Sequence, residues 1–342
     1  MSDAADKVPG SANHEKAQPV SGWDNLYQHL AVLLWCTTME IDLIIHIVFF
    51  YFIRWLWPFA VIYWTWAFLI DSETPYRGGT DALRFIRDWS FWRHFKAYFD
   101  AELIKTCDLD PSQNYIFGYH PHGIYCFGIW PSFLTDLNNF SGLFPGIRLR
   151  GTTLDMNWRI PLWRELHMSY GLISVSARSI KYALTRMGPG SSVMIVIGGA
   201  DEALQAYPGT NDLVLDKRKG FAKIAIQTGA HLVPTFTFGE NDLFYQVTAE
   251  SNPKLRGYQN QFMKALGFSL PIVTNRPFFF FPNRRKLVSV VGAPIEVEKQ
   301  ENPSREYIAQ VHGKYLEGLQ RLYDEFKDQF AADRTRDLRI VA

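Results

Sequence analysis

Residues 114–128 read NYIFGYHPHGIYCFG. An apolar run with the length and composition of a buried strand is followed at once by two histidines, one either side of a proline. A strand ending in such a loop fits an open α/β sheet, whose ligands collect beyond the strand ends. The pattern continues downstream with strands expected at 171–175, 193–197 and 232–238 and helices at 178–187 and 221–228, while LVSVVGAPIEV at 287–297 supplies one more strand. Such alternation predicts a mixed sheet flanked by helices. A last helix over 307–330, apolar at helical spacing from Tyr307 and Ile308 to Phe326 and Phe330, is expected to pack on it.

Composition narrows the classes. The chain has 342 residues, 47% of them apolar, which excludes a disordered protein and allows one large or two modest domains. Its 35 basic and 34 acidic residues give no general attraction to polyanions, so no nucleic acid partner is expected. Cys36, Cys107 and Cys126 are odd in number and contain no CxxC pair, which fits a reducing compartment. Cys126, close to the histidines, is read as a small buried hydrophobe.

Residues 1–21 are polar, mixed in charge and without a targeting signal, and a disordered tail is expected over 1–29. Residues 43–70 are almost wholly apolar, broken by His46, Arg54 and Pro58. One bilayer-spanning helix needs about 20 apolar residues. With the weaker run at 30–39, this stretch predicts an N-terminal membrane helical hairpin over 30–71, spanning or re-entrant, with Trp55, Trp57, Trp64 and Trp66 suited to the interface. The basic and aromatic stretch that follows the TPYRGG connector reads as a helix lying on a membrane surface. The main domain is expected over 72–330 and a C-terminal tail over 331–342.

His120 and His122 are two apart, and in an extended chain both would project to one side. Pro121 stiffens the pair, and Gly118 and Gly123 leave the approach uncrowded. Metal binding would need a third ligand, for which only His231 offers itself, so proton transfer is the preferred reading and no metal is expected. A second loop, VMIVIGGADEALQAYPGT at 193–210, puts Gly198 and Gly199 before Asp201 and Glu202. Its backbone N–H groups could face a developing oxyanion, and Glu202 could orient a histidine if the loops meet. Lys217, Arg218 and Lys219 precede a helix start, a natural place for phosphate.

Four blocks carry a resemblance: YIFGYHPHG at 115–123, VIGGADEAL at 196–204, RKGFAKIAIQTGAHLVPTFTFGEND at 218–242 and VVGAPIEV at 290–297. Together, in this order, they resemble the acyl-CoA:diacylglycerol acyltransferase family of the second type, with its monoacylglycerol and wax-alcohol acyltransferases, over residues 30–330. The resemblance implies a glycerolipid-acyltransferase-like fold and transfer of a fatty acyl group from acyl-CoA to the hydroxyl of diacylglycerol, giving triacylglycerol. It also implies residence at the endoplasmic reticulum membrane and lipid droplets, facing the cytosol, among membrane lipids. The distantly similar His-x4-Asp acyltransferases have an aspartate that is absent here, since His120 is followed at that place by Tyr125 and His122 by Phe127. The resemblance therefore leaves Glu202 to orient the base.

On this reading His122 is the base, His120 positions, Gly198 and Gly199 help hold the oxyanion, and Lys217, Arg218 and Lys219 hold CoA phosphates. Acyl-CoA is a co-substrate, and no cofactor is expected. Monoacylglycerol or a long-chain alcohol as acceptor, a zinc-dependent hydrolase and a non-enzymatic droplet hairpin are the competing readings. The sequence is silent on subunit number and compatible with a homo-oligomer.

Overall fold

The computed structural model describes residues 21–247, 252–266, 268–275 and 280–341; of the tail expected over residues 1–29, residues 1–20 lie outside them. Nine strands are described: β1 (Glu102–Lys105), β2 (Tyr115–His120), β3 (Arg148–Thr153), β4 (Ile173–Ser174), β5 (Ser191–Val196), β6 (Asp212–Val214), β7 (His231–Phe238), β8 (Val288–Val291) and β9 (Arg339–Val341). The α-helices are α1 (Gly22–Cys36), α2 (Thr38–Phe52), α3 (Trp57–Thr65), α4 (Ser90–Phe99), α5 (Phe140–Leu143), α6 (Trp163–Ser169), α7 (Ala177–Arg186), α8 (Gly199–Ala203), α9 (Gly220–Thr228), α10 (Pro253–Leu266) and α11 (Arg305–Phe330).

Seven strands form one sheet in the order β1-β8-β7-β2-β5-β3-β4. It is parallel from β7 to β4, and β8 joins β7 antiparallel, so the sheet is mixed as expected. The central strand β2 explains both layers. Its period-2 alternation sends Tyr115, Phe117 and Tyr119 into a core with α1 and α4, and Ile116 into a core with α7, α9 and α11. Helix α11 starts at a Ser304 N-cap that accepts from the Tyr307 N–H, and it buries Val311, Tyr315, Leu319, Leu322 and Tyr323.

Three expectations need correction at the periphery. Residues 22–29 are helical, being the first half of α1. The basic, aromatic stretch at 90–99 is not a free membrane-surface helix: α4 buries Trp92, Phe95, Tyr98 and Phe99 in the core, and α1 packs on it with Ala31 and Val32. Each such side chain contributes on the order of 1.5–3 kcal/mol by leaving water. The segment at 331–342 is not simply a tail, because β9 pairs in parallel with β6, and Arg336 and Arg339 both grip Asp212.

The expected hairpin divides in two. Trp35 of α1 sits in an aromatic cluster, its ring 4.2 Å from that of Trp130. Beyond a 63° bend, α2 buries no residue, and Phe52 is 79% and Leu69 76% exposed. Among the described residues no single helix is long and apolar enough to cross a membrane, although α1 and α2 pass that test as a bent pair.

Candidate active site

Parallel pairing of β2 with β5 decides where the site lies. Tyr119 is in register with Val196, so the loops that follow both strands leave the same edge of the sheet side by side. Two stretches 80 residues apart in sequence thereby meet: the His122 N–H donates to Glu202 Oε1 at 2.6 Å. Glu202 Oε2 accepts from the Val214 N–H at 2.8 Å, which ties β6 to the same carboxylate. Glu202 therefore reaches His122, but at its backbone and not its ring, which corrects the expected role of orienting the imidazole.

The ring is oriented locally. His122 Nδ1 lies 3.0 Å from the Gly123 carbonyl, which can only accept, so Nδ1 carries the proton and Nε2 keeps its lone pair. Burial holds the ring's pKa below its ordinary 6.5, with the carbonyl contacts opposing that shift, and the imidazole is neutral at pH 7. His122 faces a cavity of about 380 Å³ whose apolar walls include Ile124, Ile129, Trp130, Leu172 and Val196.

His120 goes elsewhere. The His120–Pro121 peptide is cis, and the two rings do not share a side. His120 is fully buried against α11, with Nε2 2.9 Å from the Tyr315 hydroxyl, and its Nδ1 has no partner among the described residues. The Tyr315 hydroxyl donates to the Gly118 carbonyl at 3.3 Å, so His120 Nε2 is the donor to it. Burial pushes the His120 pKa down to about 3.

The flanking glycines make room for protein, not for substrate. A Cβ on Gly118 would stand 1.9 Å from the Tyr315 hydroxyl, and one on Gly123, which has φ +59°, would stand 2.7 Å from Glu240 Cγ. Gly198 serves similarly: a Cβ there would meet Glu202 Oε2 at 2.0 Å. It is spacing for the glutamate and does not line the cavity, in contrast to the substrate-binding role expected of it. Gly199 and Ala200, at the start of α8, do line it.

Glu240 was missed by the sequence reading, although it stands in the FGEND run. It is buried; its Oε1 accepts from the Phe127 N–H at 2.7 Å, and its Oε2 from the Gly128 N–H and the Tyr119 hydroxyl, both at 2.8 Å. The loop from Pro121 to Gly128 is thus stapled at one end by Glu202 and at the other by Glu240. Each carboxylate is raised to about 7, first by burial, with the N–H bonds it accepts pulling the other way. A second imidazole in the cavity, His167, was also missed. Its Nδ1 donates to the Trp163 carbonyl at 2.9 Å, and burial lowers its pKa to about 4.

The metal reading fares badly on position. His231 is in register with Tyr115 and so sits at the opposite end of the sheet, about 16 Å from His120 at 3.3 Å per residue. Its Nδ1 accepts from the Val297 N–H. No group of three or more His, Cys, Asp or Glu among the described residues could hold a metal ion. Cys126 Sγ donates to the His122 carbonyl at 3.1 Å, and its thiol pKa is held well above the ordinary value, first by burial and then by Glu240 and Glu202. Lys217, Arg218 and Lys219 are exposed ahead of α9 and are not among the residues lining the cavity; Arg218 pairs with Asp201 at 2.5 Å.

Comparison with known proteins identifies the family. The Diacylglycerol acyltransferase family profile matches residues 48–341. Diacylglycerol O-acyltransferase 2A of Umbelopsis ramanniana is 45% identical over 92% of this chain and 90% of its own length. The 2-acylglycerol O-acyltransferase 1 of Bos taurus is 41% identical over 91% of this chain and 94% of its own. Acyl-CoA wax alcohol acyltransferase 1 of Homo sapiens is 39% identical over 91% and 96%. On identity at this level across nearly its whole length, the chain belongs to the diacylglycerol acyltransferase family.

Proposed function

We propose that the chain transfers a fatty acyl group from acyl-CoA to the free hydroxyl of diacylglycerol, with His122 as general base. One observation carries the assignment: a neutral imidazole, its Nδ1 fixed by the Gly123 carbonyl and its Nε2 left with a lone pair, lines a largely apolar cavity at the end of the sheet. Nε2 takes the hydroxyl proton as the oxygen attacks the thioester carbonyl. When the C–S bond breaks, the thiolate leaves and recovers that proton from the imidazolium, so the base is regenerated. N–H groups at Gly199 and Ala200 face the developing oxyanion. Glu202 and Glu240 act by holding the loop. His120 positions it through Tyr315, and the chemistry asks for no cofactor beyond acyl-CoA as co-substrate.

Diacylglycerol is preferred as acceptor because relatives so named reach 45% and 42% identity. Lys217 and Lys219, at the positive end of α9, hold CoA phosphates. The bare apolar surface of α2 and α3 anchors the enzyme in a bilayer, placed at the endoplasmic reticulum and lipid droplets with the sheet domain in the cytosol. Microsomes carrying the protein, given labelled acyl-CoA with diacylglycerol, monoacylglycerol or a long-chain alcohol, should make triacylglycerol fastest. Product only from another acceptor, or free fatty acid alone, would refute the reading.

A further inference from the structure

A second cavity, of about 410 Å³, opens between α2 and the turn leading into α6, and Met39, Leu43, His46, Ile160, Pro161 and Trp163 line it. The helix α2 beside it buries no residue, and Leu43 in the lining is 60% exposed. The inner wall of the cavity is thin. The Trp163 Nε1–H donates to Asn157 Oδ1 at 3.2 Å, and Asn157 lines the cavity of His122. The Trp163 ring also lies 4.5 Å from that of His167, in the same catalytic cavity. A second link runs past the α1–α2 bend: Glu40 lines the outer cavity and is close enough to Tyr125, on the rim of the inner one, to raise its pKa after burial and Cys36.

We propose that the outer cavity is the entrance by which the acylglycerol acceptor passes from the bilayer to His122, and that Trp163 is its gate. The inference rests on the acyltransferase reading above and adds a route to it. A mostly apolar opening beside an apolar helix admits an uncharged lipid, and the carboxylates Glu40 and Asp42, which share its lining with Arg159, disfavour a polyanionic nucleotide, so the two substrates enter from different sides. The gate is built to be held by the hairpin. Leu162, immediately before Trp163, has φ +62°, a positive value rare for a bulky side chain, and its N–H donates to the Tyr63 hydroxyl of α3 at 3.0 Å. Buried Arg164, next along, is ion-paired with Asp71 at the end of the hairpin and with Glu165. Seating α2 and α3 in lipid thereby sets the position of the indole.

Two measurements on the full chain in nanodiscs test this. Ile160→Trp should obstruct the outer cavity, raising the KM for dioleoylglycerol at least tenfold while that for oleoyl-CoA stays within twofold. A diazirine-bearing diacylglycerol should label peptides containing residues 39–46 and 159–163, whether or not turnover occurs, and excess dioleoylglycerol should suppress that label. Equal changes in both KM values, an unchanged KM for diacylglycerol, or label confined elsewhere would overturn the entrance. Loss of all turnover in Ile160→Trp leaves the label to decide. Wild-type protein that makes no triacylglycerol would refute the acyltransferase reading instead, and the label would still locate the lipid.

Discussion

His120 and His122 are separated by one proline and inhabit two different solvents. Around His120 everything is protein: a ring with no exposed surface, a tyrosine at 2.9 Å and a glycine whose missing side chain is that tyrosine's space. Around His122 one nitrogen is spoken for, and the ring lines a largely apolar cavity. Both rings are neutral at pH 7 for the same reason, burial, yet only one has a reactive lone pair with anywhere to reach. Residue type and proximity in sequence did not separate them; the layer each side chain enters did.

The sharpest way to break the comparison is to remove each ring in turn. His122→Ala should lower turnover by ~100- to 10,000-fold, the usual worth of positioned proton transfer, with the thermal unfolding midpoint unmoved. Near-normal acyl transfer by that variant would end the assignment. Glu240→Ala should harm the loop they share, since the N–H groups of Phe127 and Gly128 and the Tyr119 hydroxyl lose their acceptor at about 1–3 kcal/mol for each group left unmet. Denaturant unfolding would show the loss, and turnover should fall with it.

Acidity separates folding from function. The two glutamates have folded pKa values of about 7, above the ordinary 4.5, so the folded protein binds protons more tightly between those values. Their contribution to stability should therefore grow as pH falls from about 8 to 5. Activity should fall as the pH drops from about 8 toward 6.5, because protonation weakens the acceptors of the loop while the His122 ring, whose pKa burial holds below 6.5, is still mostly neutral. Unfolding midpoints and turnover measured across that range should move in opposite directions, and Glu240→Gln, which cannot titrate, should flatten part of the first curve.

His120→Leu keeps the volume of the buried ring and removes its bond to Tyr315. It should cost about 1 kcal/mol of stability and change turnover less than tenfold. A loss as large as that of His122→Ala would mean that His120 also handles the proton. Smallest of all, Lys217→Ala with Lys219→Ala should raise the KM for acyl-CoA a few-fold and leave turnover nearly intact.

How much of this could be read in the chain depended on whether the signal was local. The strands at 115–120 and 191–196 were legible because a buried parallel strand is a continuous apolar run, and the meeting of their two loops follows from strand-end logic. The edge strand at 102–105 was not, because its residues are half-exposed and look like any short polar stretch. Glu240 was hidden among residues quoted for resemblance, since a carboxylate that accepts backbone N–H groups leaves no spacing pattern in sequence. The helix at 90–99 was misread because tryptophan and arginine on one helix suit a bilayer surface and a protein core equally well. Only tertiary packing distinguishes them.

The two-stranded ribbon of β6 and β9 has a practical consequence for handling the enzyme. Val214 in β6 both donates its N–H to Glu202 and stands in register with Val341, so β9 is mechanically continuous with the backbone of the base. A change made in β9 would act on catalysis from far outside the pocket.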